Sequence, residues 1–263
     1  MADGSRSIPG HVPMSAADAR AGAPRGAGFR SAARSDVGKV RKLNEDAYVA
    51  RPEAGLWAVA DGMGGLSRGD RASGALKSEL EAVSLDDDLE TSVAKVRSAI
   101  GSVNEELAGT RAGGPSGSTV VAMIVRGDRF ACLWAGDSRL YRCAAGDLER
   151  ISRDHSLVEE LVASGAIKPE AARHHPLSNR ITRAVGTARS LDLDRVDGRI
   201  GPRDRLLLCS DGLHGFVDAD VIGERAARAD IDTAADELIE AALDAGGRDN
   251  VTVVLVAPVE EHA

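Results

Sequence analysis

Five aspartates stand where they could do chemistry together: Asp46, Asp61, Asp137, Asp211 and Asp249 each lie at the start or end of a short apolar run. The most informative run is Leu56-Trp57-Ala58-Val59-Ala60-Asp61-Gly62-Met63-Gly64-Gly65. It reads as a buried strand that ends in a carboxylate. The glycines that follow let backbone come close to whatever binds at that strand end. Upstream, Asn44-Glu45-Asp46-Ala47-Tyr48-Val49-Ala50-Arg51 leads into Pro52-Glu53-Ala54-Gly55, which has the composition of a hairpin turn. The turn sets Arg51 opposite Leu56 and, counting back, Asp46 opposite Asp61. Directly opposed residues have Cβ atoms roughly 4.5–5.5 Å apart, and like charges there repel. Two facing carboxylates call for a cation between them.

Two of the five aspartates begin strands and three end them. In antiparallel sheets the starts and ends of alternate strands meet on one rim, so all five can converge. An oxygen-only donor set suits Mg²⁺ or Mn²⁺ and argues against Zn²⁺. Two such ions about 3.5–4 Å apart can share a water and lower its pKa, which makes a nucleophile without Ser, Cys or His. The matching substrate is a phosphate ester, whose oxygens the ions neutralise. One aspartate beside a strand end is ordinary turn chemistry. Five, with two facing across a hairpin, are not.

The elements that must position them follow in order. Residues 29–37 read as a first strand. Residues 67–83 keep helical spacing through Ala72, Ala75, Leu76, Leu80 and Val83, and Leu89, Val93, Val96, Ile100, Val103 and Leu107 mark a second amphipathic helix. Gly113 and Gly114 then break the chain. Strands are predicted over 118–125, 129–135 and 140–143, with Asp137 between the last two and a turn at 144–147. A short helix over 154–165 has Asp154 or Ser156 as its cap. Residues 165–190 are polar, lack a clean period, and read as an inserted, mobile flap. The strand pattern returns over 191–200. Asp204 to Gly212 repeats the opening theme of buried strand, Asp and Gly. Helices over 218–228 and 233–245 precede a last strand over 251–257.

The chain has 263 residues, 43 % hydrophobic and 28 % charged, which suits one or two globular domains. Aromatics are few, so Ala, Val and Leu must fill the interior. A net charge of −8 argues against nucleic acid or an anionic membrane as the main partner. Cys132, Cys143 and Cys209 are odd in number and without metal-site spacing, as expected of small core residues in a reducing cytosol. No apolar run approaches the roughly 18 residues needed to span a bilayer. Residues 1–28 are rich in Ala, Gly, Pro, Arg and Ser, with no signal-peptide core. They read as a disordered tail, with a docking tail or a downstream start at Met14 as alternatives.

Asn44-Glu45-Asp46-Ala47, Val59-Ala60-Asp61-Gly62-Met63-Gly64-Gly65, Gly117-Ser118-Thr119, Ala135-Gly136-Asp137-Ser138-Arg139, Ser210-Asp211-Gly212 and Asp249-Asn250 occur here in an order and spacing that resemble the metal-dependent protein phosphatases of type 2C. The chain looks like a compact bacterial member, with the resemblance covering residues 29–258 and leaving only the tail outside. It implies an α+β fold, a four-layer α-β-β-α sandwich of two antiparallel sheets with a flap at about 165–190. It also implies two tightly bound Mn²⁺ or Mg²⁺ ions and a weaker third. Asp46 and Asp61 match bridging or near-bridging ligands, the Gly62 carbonyl a backbone ligand, and Asp211 and Asp249 the remaining carboxylates on one metal. Glu45 matches a ligand acting through water, and Asp137 the carboxylate that, with Asp211, holds the third ion. Arg41 matches the arginine that grips substrate phosphate, a task suited to a guanidinium fork.

One departure is Met63, where many eukaryotic members of the family have a histidine proposed to protonate the leaving group. His155, His174, His175 and His214 are candidates for that proton only by elimination. A dinucleotide-binding reading of Gly62-Met63-Gly64 fails because Ser67 replaces the third glycine. A phosphate-loop reading of Gly69 and Gly74 fails because Ala75-Leu76 replace the Lys and Ser/Thr. The remaining alternative is a phosphatase-like fold used only as a regulatory binding module, and every ligand position is kept here. The resemblance implies a cytoplasmic monomer that acts on phosphoserine and phosphothreonine proteins, with a Ser/Thr kinase or its substrates as partners.

Overall fold

The computed structural model describes residues 28–63, 69–109, 116–144, 147–172 and 175–259. The expectations that fall on the tail up to residue 27, Met14, Gly64, Gly65, Ser67, Gly113, Gly114 and His174 lie outside them. In chain order the elements begin with β1 (Phe29–Asp36), β2 (Asp46–Arg51), a 3₁₀ turn at Pro52–Ala54 and β3 (Leu56–Met63). Next come α1 (Gly69–Ala82), α2 (Leu89–Gly109), β4 (Gly117–Ser118), β5 (Val120–Arg126) and β6 (Arg129–Ala135). They are followed by β7 (Arg139–Ala144), β8 (Asp147–Arg150), α3 (Leu157–Ala163), α4 (Pro169–Ala172) and β9 (Asp194–Arg199). The chain ends with β10 (Arg205–Cys209), α5 (Asp211–His214), α6 (Ala219–Ala226), α7 (Ile231–Asp244) and β11 (Val251–Pro258).

The strands form two antiparallel sheets. One runs β1-β11-β10-β7-β8; the other runs β2-β3-β5-β6-β9, with β4 paired to the end of β3. Alternation along each strand explains why the apolar runs are continuous: both faces are buried. Trp57, Val59, Val121, Met123, Leu206, Leu208, Val254 and Val256 point between the sheets. Leu56, Ala58, Ile124 and Leu133 face α1 and α2 through Leu76, Leu80, Val96 and Ile100. Leu207, Val253 and Leu255 face α6 and α7 through Ile222, Ala234 and Leu238. The result is the expected four-layer α-β-β-α sandwich. Cys132, Cys143 and Cys209 are buried and form no disulfide among the described residues, and no described helix is long and apolar enough to cross a membrane.

Several boundaries differ from the reading of the sequence. The strand expected over 118–125 divides at Thr119, whose hydroxyl accepts the Asp61 amide at 3.0 Å, so the residue serves the neighbouring turn instead of the ladder. The helix expected from residue 154 begins at Leu157, because Asp154 is held by Arg139 and the His155 amide donates to the Gly136 carbonyl. Ser156 is the cap and accepts from the Glu159 amide. Strand β8 follows the turn expected at 144–147. It is a charged, largely exposed edge strand with no apolar run to betray it. The segment between α4 and β9 is tied to the body by bridges Ser156–Ile181 and Ser118–Val185.

Candidate active site

The hairpin register is the one the turn predicts: Arg51 pairs with Leu56 and Asp46 with Asp61. Asp61 to Met63 close β3, Asp137 lies where the chain leaves β6 for β7, Asp211 follows β10, and Asp249 precedes β11. All five aspartates therefore sit on one rim of the sandwich. Asp46 and Asp61 come from one sheet, Asp211 and Asp249 from the other, and Asp137 from the crossing between them.

Crowding of like charge shows in the proton affinities. Burial pushes the Asp46 carboxyl up to about 7; hydrogen bonds from Ser210 and Thr252 oppose this, and the charges of Asp211 and Asp249 add to it. Burial, then Asp249, raises Asp211 to about 6, while a hydrogen bond with Asp61 and the charges of Arg41 and Arg139 oppose the shift. Burial, then Asp211 and Asp154, raises Asp137 to about 8. Asp61 is driven well above the carboxylate range by burial and by Asp46, Asp211, Asp137 and Asp249. Asp46 Oδ1 and Asp137 Oδ1 are buried with no hydrogen-bond partner. Unpartnered buried oxygens among mutually repelling carboxylates are what a hard divalent cation relieves, so the donor set fits Mg²⁺ or Mn²⁺. Among the described residues no three Asp, Glu, His or Cys side chains close into a ready-made cage. An ion held by one or two carboxylates completes its shell with water, the usual habit of Mg²⁺.

The other expected residues take definite places. Arg41 Nη2 donates to Asp249 Oδ2 at 2.7 Å. Glu45 Oε1 accepts the Gly69 amide at 3.0 Å and so caps α1; its carbonyl accepts from the Gly62 amide and the Ser73 hydroxyl. Gly62 must be glycine, because a Cβ there would collide with the Gly69 backbone where β3 and α1 touch. His214 Nε2 lies 3.0 Å from the Asp137 carbonyl. His155 Nδ1 accepts the Gly136 amide at 3.2 Å, and its Nε2 lies 3.2 Å from Asp194 Oδ2. Both histidines thus hold the Asp137 turn from outside. His175 accepts the Leu177 amide, within the segment read as the flap.

Five supporting residues had no role assigned from sequence. Ser210 donates to Asp46 Oδ2 and accepts the Thr252 amide. Thr119 and Ser138 share a hydroxyl hydrogen bond of 2.6 Å that joins the Asp61 and Asp137 turns. Asn250 Nδ2 donates to the carbonyls of Val37 and Leu43, while its Oδ1 accepts the Glu45 amide. Arg139 grips buried Asp154 with Nε and Nη2. Ser138, Arg139, Ser210 and Asn250 sit beside Asp137, Asp211 and Asp249 in the sequence, so their signal was adjacency, whereas Thr119 is adjacent to none of the aspartates. A cleft of about 240 Å³ lined by Asn44, Asp46, Tyr48, Asp70 and Lys77 opens beside the carboxylates. A larger one of about 720 Å³ lies at the opposite ends of β7 and β10, beside Cys143 and Arg205, away from this chemistry.

Fold and site together describe a two-sheet sandwich with a carboxylate rim, and comparison with known proteins places that class. Residues 19–161, more than half of the chain, match the family model "Protein phosphatase 2C". The serine/threonine protein phosphatase PstP of Mycobacterium tuberculosis is 39 % identical over 237 residues, or 88 % of this chain. The chain spans 45 % of that relative's length. PppA of Pseudomonas aeruginosa, described as a key regulatory component of T6SS, is 42 % identical, with a TM-score of 0.81 over 88 % of this chain and 97 % of its own. The catalytic domain of PstP in complex with two manganese ions is 36 % identical, with a TM-score of 0.79 over 88 % of this chain and 99 % of its own. The chain belongs to the protein phosphatase 2C family.

Proposed function

We propose that this protein hydrolyses phosphoserine and phosphothreonine in proteins with the help of Mn²⁺ or Mg²⁺, opposing a bacterial Ser/Thr kinase. The observation that carries the reading is Asp46 facing Asp61 across the hairpin, with a buried and unpartnered Oδ1. The names of the relatives, and the two manganese ions of the PstP catalytic domain, support it. Bound metal would supply charge against the phosphate oxygens and a water of lowered pKa.

The chain's own residues divide the remaining work. Asp46, Asp61 and the Gly62 carbonyl would hold metal from one sheet, and Asp211 and Asp249 from the other. Asp137 would serve a weaker third ion, and Glu45 would reach the site through water. Ser210 stabilises the ionised form of Asp46 that a cation needs. Arg41 exchanges its bond to Asp249 for two substrate phosphate oxygens and orients the ester. With Met63 at the strand end, the leaving group takes its proton from water or from a residue other than the family's histidine.

The test is hydrolysis of a phosphothreonine peptide and an aryl phosphate by metal-stripped enzyme across a Mn²⁺ series. Activity should appear with metal and vanish with chelator. Asp61→Asn and Asp249→Asn should abolish it while circular dichroism stays unchanged. Full activity without metal, or none at any Mn²⁺ concentration, would overturn the reading; the second result would favour a binding module.

A further inference from the structure

Residues 38–44 carry the chain from β1 in one sheet to β2 in the other, directly beside the carboxylate rim. Their backbone is pinned at both ends. Gly38 has φ +78°, and a Cβ there would collide with the Asp249 carbonyl. The Gly38 amide donates to Asp36 Oδ1 at 2.7 Å, and the Lys39 amide to the Gly247 carbonyl at 2.7 Å. Asn250 Nδ2 closes the loop by donating to Val37 and Leu43 at 2.9 and 3.0 Å.

The side chains are the opposite case. Every residue from 39 to 43 is exposed. Val40 is 64 % exposed and Leu43 44 %, two of only five large apolar side chains so exposed among the described residues. The ammonium groups of Lys39 and Lys42 have no partner among the described residues. With Arg41 they put three cations in four positions of a chain whose net charge is −8. A loop pinned at both ends that shows exposed apolar and cationic side chains loses less conformational entropy on binding than an untethered segment, the property of a preorganised recognition surface.

We infer that this loop is the docking surface for the protein substrate, and that it selects phosphorylated segments with acidic and apolar residues next to the phosphorylated one. The inference rests on the phosphatase reading and names its substrate class. Charge complementarity picks the acidic residues, and Val40 and Leu43 pick the apolar ones. Position picks the substrate: Arg41 lies between them and already reaches Asp249. A membrane seated on the same loop would cover the rim, and an anionic one would meet a net negative protein.

The experiment compares phosphothreonine peptides that differ only in the two residues on each side of the phosphothreonine: Glu and Leu, Gly and Ser, or Lys and Gly. Full-length protein with Mn²⁺ should show the lowest KM for the first, by about three- to tenfold over the neutral peptide, from two exposed ion pairs and partial apolar burial. The double variant K39A/K42A should lose the acidic part of that preference, and V40S/L43S the apolar part. Both should keep kcat/KM for an aryl phosphate within about twofold. Fluorescence anisotropy of the labelled peptides reads docking without turnover. Hydrolysis with no discrimination among flanks would overturn the docking surface alone. Discrimination in anisotropy with no hydrolysis would overturn the phosphatase reading alone. Loop variants that slow aryl phosphate and peptide equally would overturn docking. So would cosedimentation with phosphatidylserine vesicles, abolished by K39A/K42A while peptide KM is unmoved.

Discussion

Ser210 donates its hydroxyl to Asp46 Oδ2 at 2.7 Å, across the junction of the two sheets. The same hydroxyl accepts the Thr252 amide at 3.0 Å, so its proton has one place to go and its orientation is set. A serine immediately before Asp211 thereby aims the carboxylate that faces Asp61. Supports of metal ligands typically contribute 10–100-fold in affinity or activity. Ser210→Ala should weaken Mn²⁺ binding by about tenfold while the thermal transition of the metal-loaded protein stays cooperative. Calorimetric titration measures it; unchanged affinity would leave Ser210 a ladder residue only.

The crowded aspartates make a prediction about pH. Asp46, Asp211 and Asp137 are raised from 3.8 to about 7, 6 and 8. A group whose folded pKa is raised holds its proton more tightly folded than unfolded. Its stabilising contribution is therefore full below about pH 4 and fades as pH rises through the folded values. Metal-stripped protein should have a Tm several degrees lower at pH 8 than at pH 5. Saturating Mn²⁺ should erase the difference, and its binding at pH 7 should release protons. A metal-free Tm that rises between pH 5 and 8 would contradict the crowding.

Arg41→Ala should chiefly weaken the grip on substrate. A charge-assisted hydrogen bond contributes roughly 1.5–3 kcal/mol, or on the order of 10- to 150-fold. The loss should appear in KM if Arg41 holds ground and transition states alike. Because the residue rests on Asp249, its removal frees a carboxylate, so metal affinity should not fall. Steady-state kinetics beside metal titration separates the two roles.

Asp137→Ala should leave tight metal binding intact and lower turnover, since Asp46, Asp61, Asp211 and Asp249 remain to hold metal and Asp61 loses one repelling neighbour. Counting bound Mn²⁺ by calorimetry against kcat decides this; wild-type turnover would remove Asp137 from the machinery.

Arg139 should matter to stability. It faces Asp154, whose side chain is only 7 % exposed. Breaking one side of a buried pair costs roughly 3–5 kcal/mol, with the low end expected because Arg150 lies 3.7 Å from the same carboxylate. Arg139→Leu should lower Tm by about 6–20 °C in thermal denaturation, and Arg139→Lys by less.

The parts of the fold legible in the sequence were those with strong local grammar. Pro52 to Gly55 fixed a hairpin register, and with it the meeting of Asp46 and Asp61. The spacing of Leu89 to Leu107 fixed α2. The missed features share a different character. Strand β8 exists because β7 offers it a partner, and its own residues carry no pattern. Thr119 leaves the ladder because a turn distant in sequence needs its hydroxyl. Glu45 faces α1 because Gly62 lets β3 approach that helix, a closeness no periodicity encodes. The carboxylates of the rim were written in residue type, and their supports were written in tertiary contact.

The rim draws Asp46 and Asp61 from one sheet and Asp211 and Asp249 from the other. A cation seated there would act as a rivet through two plates. The plates otherwise grip largely through side chains such as Trp57, Met123, Leu206 and Val254, with a few polar ties such as Ser210 to Asp46, and such packing resists separation better than sliding. Shear between the sheets would part the carboxylates before it exposed any core. A cavity cut beneath Trp57, remote from every ligand, would then be felt at the rim as a looser hold on metal.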